Sequence, residues 1–262
     1  AYNHDAFLAM FAEDADIVTT LVEQPAAQVM LRPENVGRFD AVLFYDMSGI
    51  ANAGLVHDDS NDTGQPTDDY RQSIEALVAS GKGIVMLNHA TCSWPEWPLW
   101  RQIHGSSFML TEGEVFGDTV PGSGYAGGHG PLPNPSFTLS PVDASHPVTA
   151  GLEGGLTVAD EIYIKSNNFE ANVLPLMRSD YEYVSSNFTA PPMAPAEQQE
   201  GWTHPGGSNL VVWANAAQNS PVVASDIGDS PGAFENAGFR RLLKNALQWV
   251  ASDEARQWAR QQ

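Results

Sequence analysis

Cationic side chains are scarce in this 262-residue chain: 12 Lys and Arg stand against 32 Asp and Glu, for a formal charge of −20. Only Lys82, Lys165 and Lys244 are lysines. A nucleic-acid backbone is normally met by a Lys/Arg surface, so nucleic acid is a poor partner, and an anionic membrane would be repelled. Cysteine is scarcer still. Cys92 is the single one, which excludes an intramolecular disulfide framework and any Cys-cluster zinc or iron–sulfur site. No apolar run approaches the ~20 residues that span a bilayer, and no secretory leader is recognisable. The sequence opens at Ala1 rather than Met, so a processed or trimmed form is expected, in cytoplasm or periplasm.

What is present can build a core: 42% of the residues are hydrophobic, and neither repeats nor low-complexity linkers interrupt them. One domain over 1–262 is expected, with self-association left open. DAFLAMFA (5–12) reads as a short amphipathic helix, and the β-branched IVTTLVE (17–23) as a strand. FDAVLFYDM (39–47) and GIVMLN (83–88) are near-continuous apolar runs, as in buried parallel strands. Between them lie a polar loop at 50–69 and a helix at 70–81, capped by Asp68 or Asp69 and stopped by Gly81. A helix, glycine, apolar-strand rhythm predicts an α/β three-layer sandwich around a mostly parallel sheet, with long loop decorations at 105–150 and 185–207. DEIYIK and NVLPLM, within 160–178, are plausible strands. NLVVWA (209–214) and PVVASD (221–226) are neighbouring strands joined by the turn AAQNS. The terminal segment keeps Phe239, Leu243, Ala246, Leu247 and Val250 at helical spacing.

In an open parallel sheet, ligands bind beyond the carboxyl ends of the strands. Asp46 closes one strand, Asn88 and His89 the next, and Asp226 and Asp229 follow the last. Asn3 and His4 would sit at the equivalent place if a strand preceded them. His89 is the natural acid–base residue, because an imidazole titrates near neutral pH without special tuning. Trp94, Trp97 and Trp100 follow it, and two readings stay open for them. Indole faces beside a polar cleft suit a sugar ring, while the i, i+3, i+6 spacing equally suits a buried helical stripe.

Other candidates are weaker. Cys92 falls three residues after the strand-end turn, too late for a nucleophile elbow. No histidine pair has HExxH spacing, so a metal site would need spatial convergence of His89, His129 and a carboxylate such as Asp229. GSGYAGGHG (122–130) matches neither a P-loop nor a dinucleotide fingerprint. The acidic loop from Asp59 places Gly64 at position 6 of a calcium loop, but position 12 is Tyr70 rather than Glu.

GKGIVMLNHA with the tryptophan-rich segment after it, ASHPVTAGL (144–152), ADEIY (159–163) and FRRLLKNALQWVAS (239–252) together resemble the ThuA-like, trehalose-utilisation family. The resemblance implies a class I glutamine-amidotransferase-like, flavodoxin-like fold without the cysteine nucleophile, and a role in catabolism of disaccharides and keto-sugars. Matching positions are His89, His146-Pro147, Asp160-Glu161 with Tyr163, and the Gly-Trp-x-His segment carrying Trp202 and His204. Two departures stand out. Gly228-Asp229 replaces a Gly-His pair, and the family's first strand is not represented. The expectation is therefore an enzyme acting on a sugar or keto-sugar through His89 with Asp160, Glu161 or Asp229, with a divalent metal as a candidate cofactor. His4, Asp46, Asn88, Trp94, Trp97, His129, Tyr163, Trp202 and His204 are the candidate substrate contacts. The alternative is a carbohydrate-binding or accessory protein without turnover.

Overall fold

Glycines and apolar runs place the elements that frame the site. A computed structural model describes residues 4–12, 14–50, 65–128, 130–191 and 194–262, with the side chain of His4 outside the described set. His129 and the loop 51–64, with its calcium-loop resemblance, also lie outside the described residues. Helix α1 (His4–Ala12) is followed by two short helices, α2 (Ala26–Met30) and α3 (Pro33–Val36). Strand β1 (Ala41–Phe44) leads toward helix α4 (Asp68–Ser80). Thr67, rather than Asp68 or Asp69, caps α4 by accepting from the Tyr70 N–H, and Gly81 ends it at φ +81°. A left-handed residue of this kind is the ordinary glycine stop. Strand β2 (Gly83–Leu87) follows at once, buried along its whole length.

Helix α5 (Pro98–His104) precedes three short strands, β3 (Gly113–Val115), β4 (Asp118–Val120) and β5 (Gly124–Ala126). Next come β6 (Ser136–Pro141), β7 (Leu156–Ala159), β8 (Ile162–Ile164), β9 (Leu174–Ser179) and helix α6 (Ala196–Gln199). The chain closes with β10 (Leu210–Ala217), β11 (Ser220–Ser225), α7 (Pro231–Glu235), α8 (Ala237–Val250) and α9 (Asp253–Ala259). No helix among the described residues is long and apolar enough to cross a membrane.

Among the described residues the principal sheet has seven strands in the order β1-β2-β11-β10-β9-β6-β7. Only β1–β2 and β2–β11 are parallel, and the remaining four pairings are antiparallel. The sheet is mixed and curls strongly into a half-barrel, which overturns the expected flat, flavodoxin-like three-layer sandwich with a mostly parallel sheet. The cause is local. The β10–β11 turn is too short for a crossover helix, so the two strands can only pair antiparallel. A register shift between Leu210 and Trp213 then bends β10 against β9. The β5–β8 and β3–β4 pairs stand apart from this sheet.

Segment 17–23, expected as a strand, forms no strand pairing, and its Val18 side chain is exposed. It lines the same cleft as edge strand β1 without pairing to it, so β propensity alone does not make it a strand. Helix α8 buries Phe239, Leu242, Leu243, Ala246, Trp249 and Val250 against the sheet, each large side chain stabilising by roughly 1.5–3 kcal/mol. On the other side α4 and α5 enclose Ile74, Leu77, Trp100 and Ile103 with Met86 and Trp213.

Candidate active site

Three strand ends and one short strand converge on His89. The residue lies in a 3-10 turn, Asn88–Thr91, directly after β2, and Asn88 starts the turn at φ +43°. Asparagine tolerates that backbone region better than most residues. Its amide stays useful there: Nδ2 donates to the Asp226 carbonyl at 2.9 Å and Oδ1 faces the Tyr163 hydroxyl at 3.2 Å.

Strand β8 supplies the facing groups. Side chains alternate along a strand, so Glu161, Tyr163 and Lys165 share one face while Ile162 and Ile164 enter the main core. Each polar residue of the row meets one residue at a strand end. Glu161 Oε2 lies 3.6 Å from His89 Nε2. Tyr163 donates to Glu161 Oε2 at 2.5 Å, with Asn88 as its second neighbour. Lys165 Nζ lies 2.7 Å from Asp226 Oδ1. From the turn after β11, Asp229 Oδ1 comes within 3.3 Å of His89 Nε2. The ligand atoms of His89, Glu161 and Asp229 all lie within 4.8 Å of one another.

Burial opposes a charge on His89, but Glu161, Asp229 and Asp160 outweigh it and raise the imidazole pKa above its ordinary value. Burial, reinforced by the Glu161 charge, holds the Tyr163 phenol protonated well beyond its usual range. Asp160 is fully buried and accepts from the backbone N–H groups of Gly228, Asp229 and Ser230. Burial pushes its carboxyl up to about 7, against those N–H groups, which favour the ionised form.

His89, Glu161 and Tyr163 open onto a cleft of about 2080 Å³, which also takes in Tyr45, Asp46, Cys92, Phe108 and Tyr125. The Tyr45 ring sits 5.6 Å from the His89 ring, and Phe108 packs edge-on against Tyr163 at 5.0 Å. Asp46 accepts from Gln24 and Ser48 at the cleft wall. Cys92 is buried, and desolvation pushes its thiol pKa well up, the opposite of what a nucleophilic thiolate needs.

Several expected contacts lie elsewhere. Trp94 and Trp97 are core residues packed on Tyr70, and neither lines the cleft. Trp202 donates to the Gly122 carbonyl at 3.1 Å, and His204 bonds the Pro205 carbonyl; both are outside the cleft lining. His146 accepts from the Val148 N–H in a turn, as a local capping residue does. Asp226 is tied to Lys165 rather than to His89. Tyr45, Phe108, Tyr125 and Lys165 were not singled out from the sequence. Of these only Lys165 had a usable signal, the two-residue alternation in DEIYIK.

The ThuA family profile, described as trehalose utilisation, matches residues 2–250. The chain belongs to the ThuA family. Among solved structures it is similar to a ThuA-like protein from Bacteroides uniformis, with a TM-score of 0.61 and 15% identity over 95% of this chain and 82% of that one. It is also similar to a cytoplasmic protein of Salmonella typhimurium LT2, with a TM-score of 0.54 and 12% identity over 94% and 86% of the two chains. At such identities the likeness speaks for the ThuA fold alone. No curated protein matches the chain.

Proposed function

We propose that this ThuA-family chain is a carbohydrate-processing enzyme whose reacting centre is His89 with Glu161 and Asp229. The observation that carries the reading is the convergence of one imidazole and two carboxylates from separate elements, with His89 and Glu161 lining the cleft. Proton transfer beside a carbonyl, or hydrolysis, needs a group that titrates near the working pH and sits within reach of the substrate. An imidazole is the side chain whose ordinary titration lies nearest neutral pH, and His89 stands in the cleft lining. The family's trehalose-utilisation description supports a sugar or keto-sugar substrate, and Tyr45, Phe108 and Tyr125 offer apolar surface of the kind a sugar ring packs on.

The same three side chains fit a divalent cation. Ligands about 2.0–2.2 Å from one ion lie roughly 3.0–3.5 Å from each other, close to the 3.3 and 3.6 Å separations around His89 Nε2. Two carboxylates beside one imidazole also leave net negative charge for a cation to balance. A bound ion would polarise a carbonyl or lower the pKa of a water molecule. Around it the protein's own residues act by holding shape: Tyr163 orients Glu161, and Asn88 ties the β2 turn to the turn after β11. The similar Salmonella chain is described as cytoplasmic, and we extend that location to this one.

The reading is tested by assaying disaccharides and their oxidised keto forms with wild-type protein and His89→Ala, beside elemental analysis of the purified chain. Turnover of a keto-glycoside that falls about 100-fold or more in His89→Ala supports it. Sugar binding without product from any substrate would instead support an accessory binding protein, and full turnover by His89→Ala would remove His89 from the chemistry.

A further inference from the structure

Glu161 belongs to the centre, but its neighbour Asp160 does not touch His89. Its carboxylate is fully buried and turned the other way, as successive side chains entering a strand are. Oδ2 accepts from Gly228 N at 2.6 Å and Asp229 N at 3.3 Å, and Oδ1 accepts from Ser230 N at 3.1 Å. These three consecutive amides form the turn that carries Asp229, and the Ser230 side chain and the Glu161 backbone add further hydrogen bonds to the Asp160 carboxylate. The turn can adopt this shape because residue 228 is glycine. Its φ is +120°, and a Cβ there would stand 3.0 Å from Leu87 and Phe239 side chains.

We infer that Asp160 is the positioning residue of the centre: its carboxylate clamps the 228–230 turn and so holds Asp229 Oδ1 against His89 Nε2. The claim rests on the proposed centre, and it explains why the two acids of Asp160-Glu161 are adjacent. One reaches His89 directly, and the other places the second acid that does. Both oxygens of a carboxylate accept, whereas an amide must turn its NH2 toward one of the three N–H groups. Asparagine is therefore a nearly isosteric substitution that breaks the clamp while leaving the volume filled.

The test compares Asp160→Asn with wild type by two readouts on full-length protein. Amide hydrogen exchange, followed by NMR in metal-free protein, is expected to speed up at least tenfold at Gly228, Asp229 and Ser230 while β2 and α8 amides keep their protection. Mn2+ affinity, measured by calorimetry, is expected to weaken about 10- to 100-fold, the usual cost of losing a group that orients a ligand. Asp160→Glu keeps the charge but lengthens the arm, and it should not restore the affinity. Unchanged exchange at 228–230 overturns the clamp. Faster exchange with wild-type Mn2+ affinity overturns the positioning role. If wild type binds no Mn2+, the cation reading of the preceding section fails, and the exchange result alone decides the clamp. Should Asp160→Asn fold poorly, Asp160→Glu, which keeps the carboxylate but displaces it from the turn, is read by the same two measurements, and wild-type exchange at 228–230 in that variant overturns the clamp.

Discussion

Lys165 and Asp226 lie 2.7 Å apart with side chains 3% and 2% exposed, whereas His89, Glu161 and Asp229 are 22%, 7% and 11% exposed, and His89 and Glu161 line a cleft. Both groups hang from the same row of β8 and the same turn after β11, yet they are built for different ends. The first is one cation with one anion, sealed, with the ammonium also 4.6 Å from the Trp213 ring. The second has two acids for one imidazole, so even a protonated His89 leaves negative charge uncompensated. Buried charge that is balanced contributes to structure, and accessible charge that is not balanced is available for chemistry. Asp226 and Asp229, three residues apart, fall on opposite sides of that division.

The largest effects should separate the two groups outright. Asp226→Ala strands the buried Lys165 ammonium and is expected to destabilise the fold by about 3–5 kcal/mol, read as a lower urea midpoint. Asp229→Ala leaves no buried cation stranded, so the cost should stay within about 1 kcal/mol while turnover is lost. Equal destabilisation by both would erase the distinction. Tyr163→Phe sits between them. It removes the donor to Glu161 Oε2, and a loss of about tenfold in turnover or metal affinity is expected with the fold intact.

The smallest effects are in pH dependence, where two histidines should have opposite signs. His104 is fully buried beside Trp213, and desolvation, then the Lys165 charge, hold its pKa well below the ordinary value. The unfolded chain binds a proton there that the folded one refuses. Stability is therefore present above about pH 6.5 and lost as pH falls below it, at up to about 1.4 kcal/mol per pH unit. For His89 in the metal-free protein the folded pKa is raised. Its contribution is full below about pH 6.5 and is lost as pH rises through the folded value. Urea unfolding from pH 5 to 8 should show the acid-side loss relieved in His104→Gln and the alkaline-side loss relieved in His89→Gln. Matching profiles for the two variants would contradict the assignment.

Much of the site was legible in the sequence because polar residues at strand ends are visible in apolar runs. GIVMLNHA gave Asn88 and His89, whereas Glu161 and Tyr163 came only with the resemblance of ADEIY to the ThuA-like family. The alternation in DEIYIK also carried Lys165, which only a structural partner could interpret. The tryptophans show the limit. Spacing of 94, 97 and 100 fits a core stripe or a sugar platform equally, and burial against Tyr70 decides for the core. The roles of Asp160 and Asp229 were interchangeable on paper, since nothing local says which acid faces a backbone turn and which faces an imidazole. For the fold, the parallel rhythm of β1 and β2 was real but local. The short β10–β11 connection already argued for an antiparallel pair, and it governs the larger part of the sheet.

The central claim is that His89, Glu161 and Asp229 act as one centre, and a Mn2+ titration of the metal-free protein tests it most directly. One saturable site is predicted in wild type, weakened 100-fold or more in His89→Ala and in Asp229→Ala and kept in His146→Ala, whose side chain lies in a remote turn. Absence of a saturable site, or equal affinity in wild type and both site variants, would contradict it.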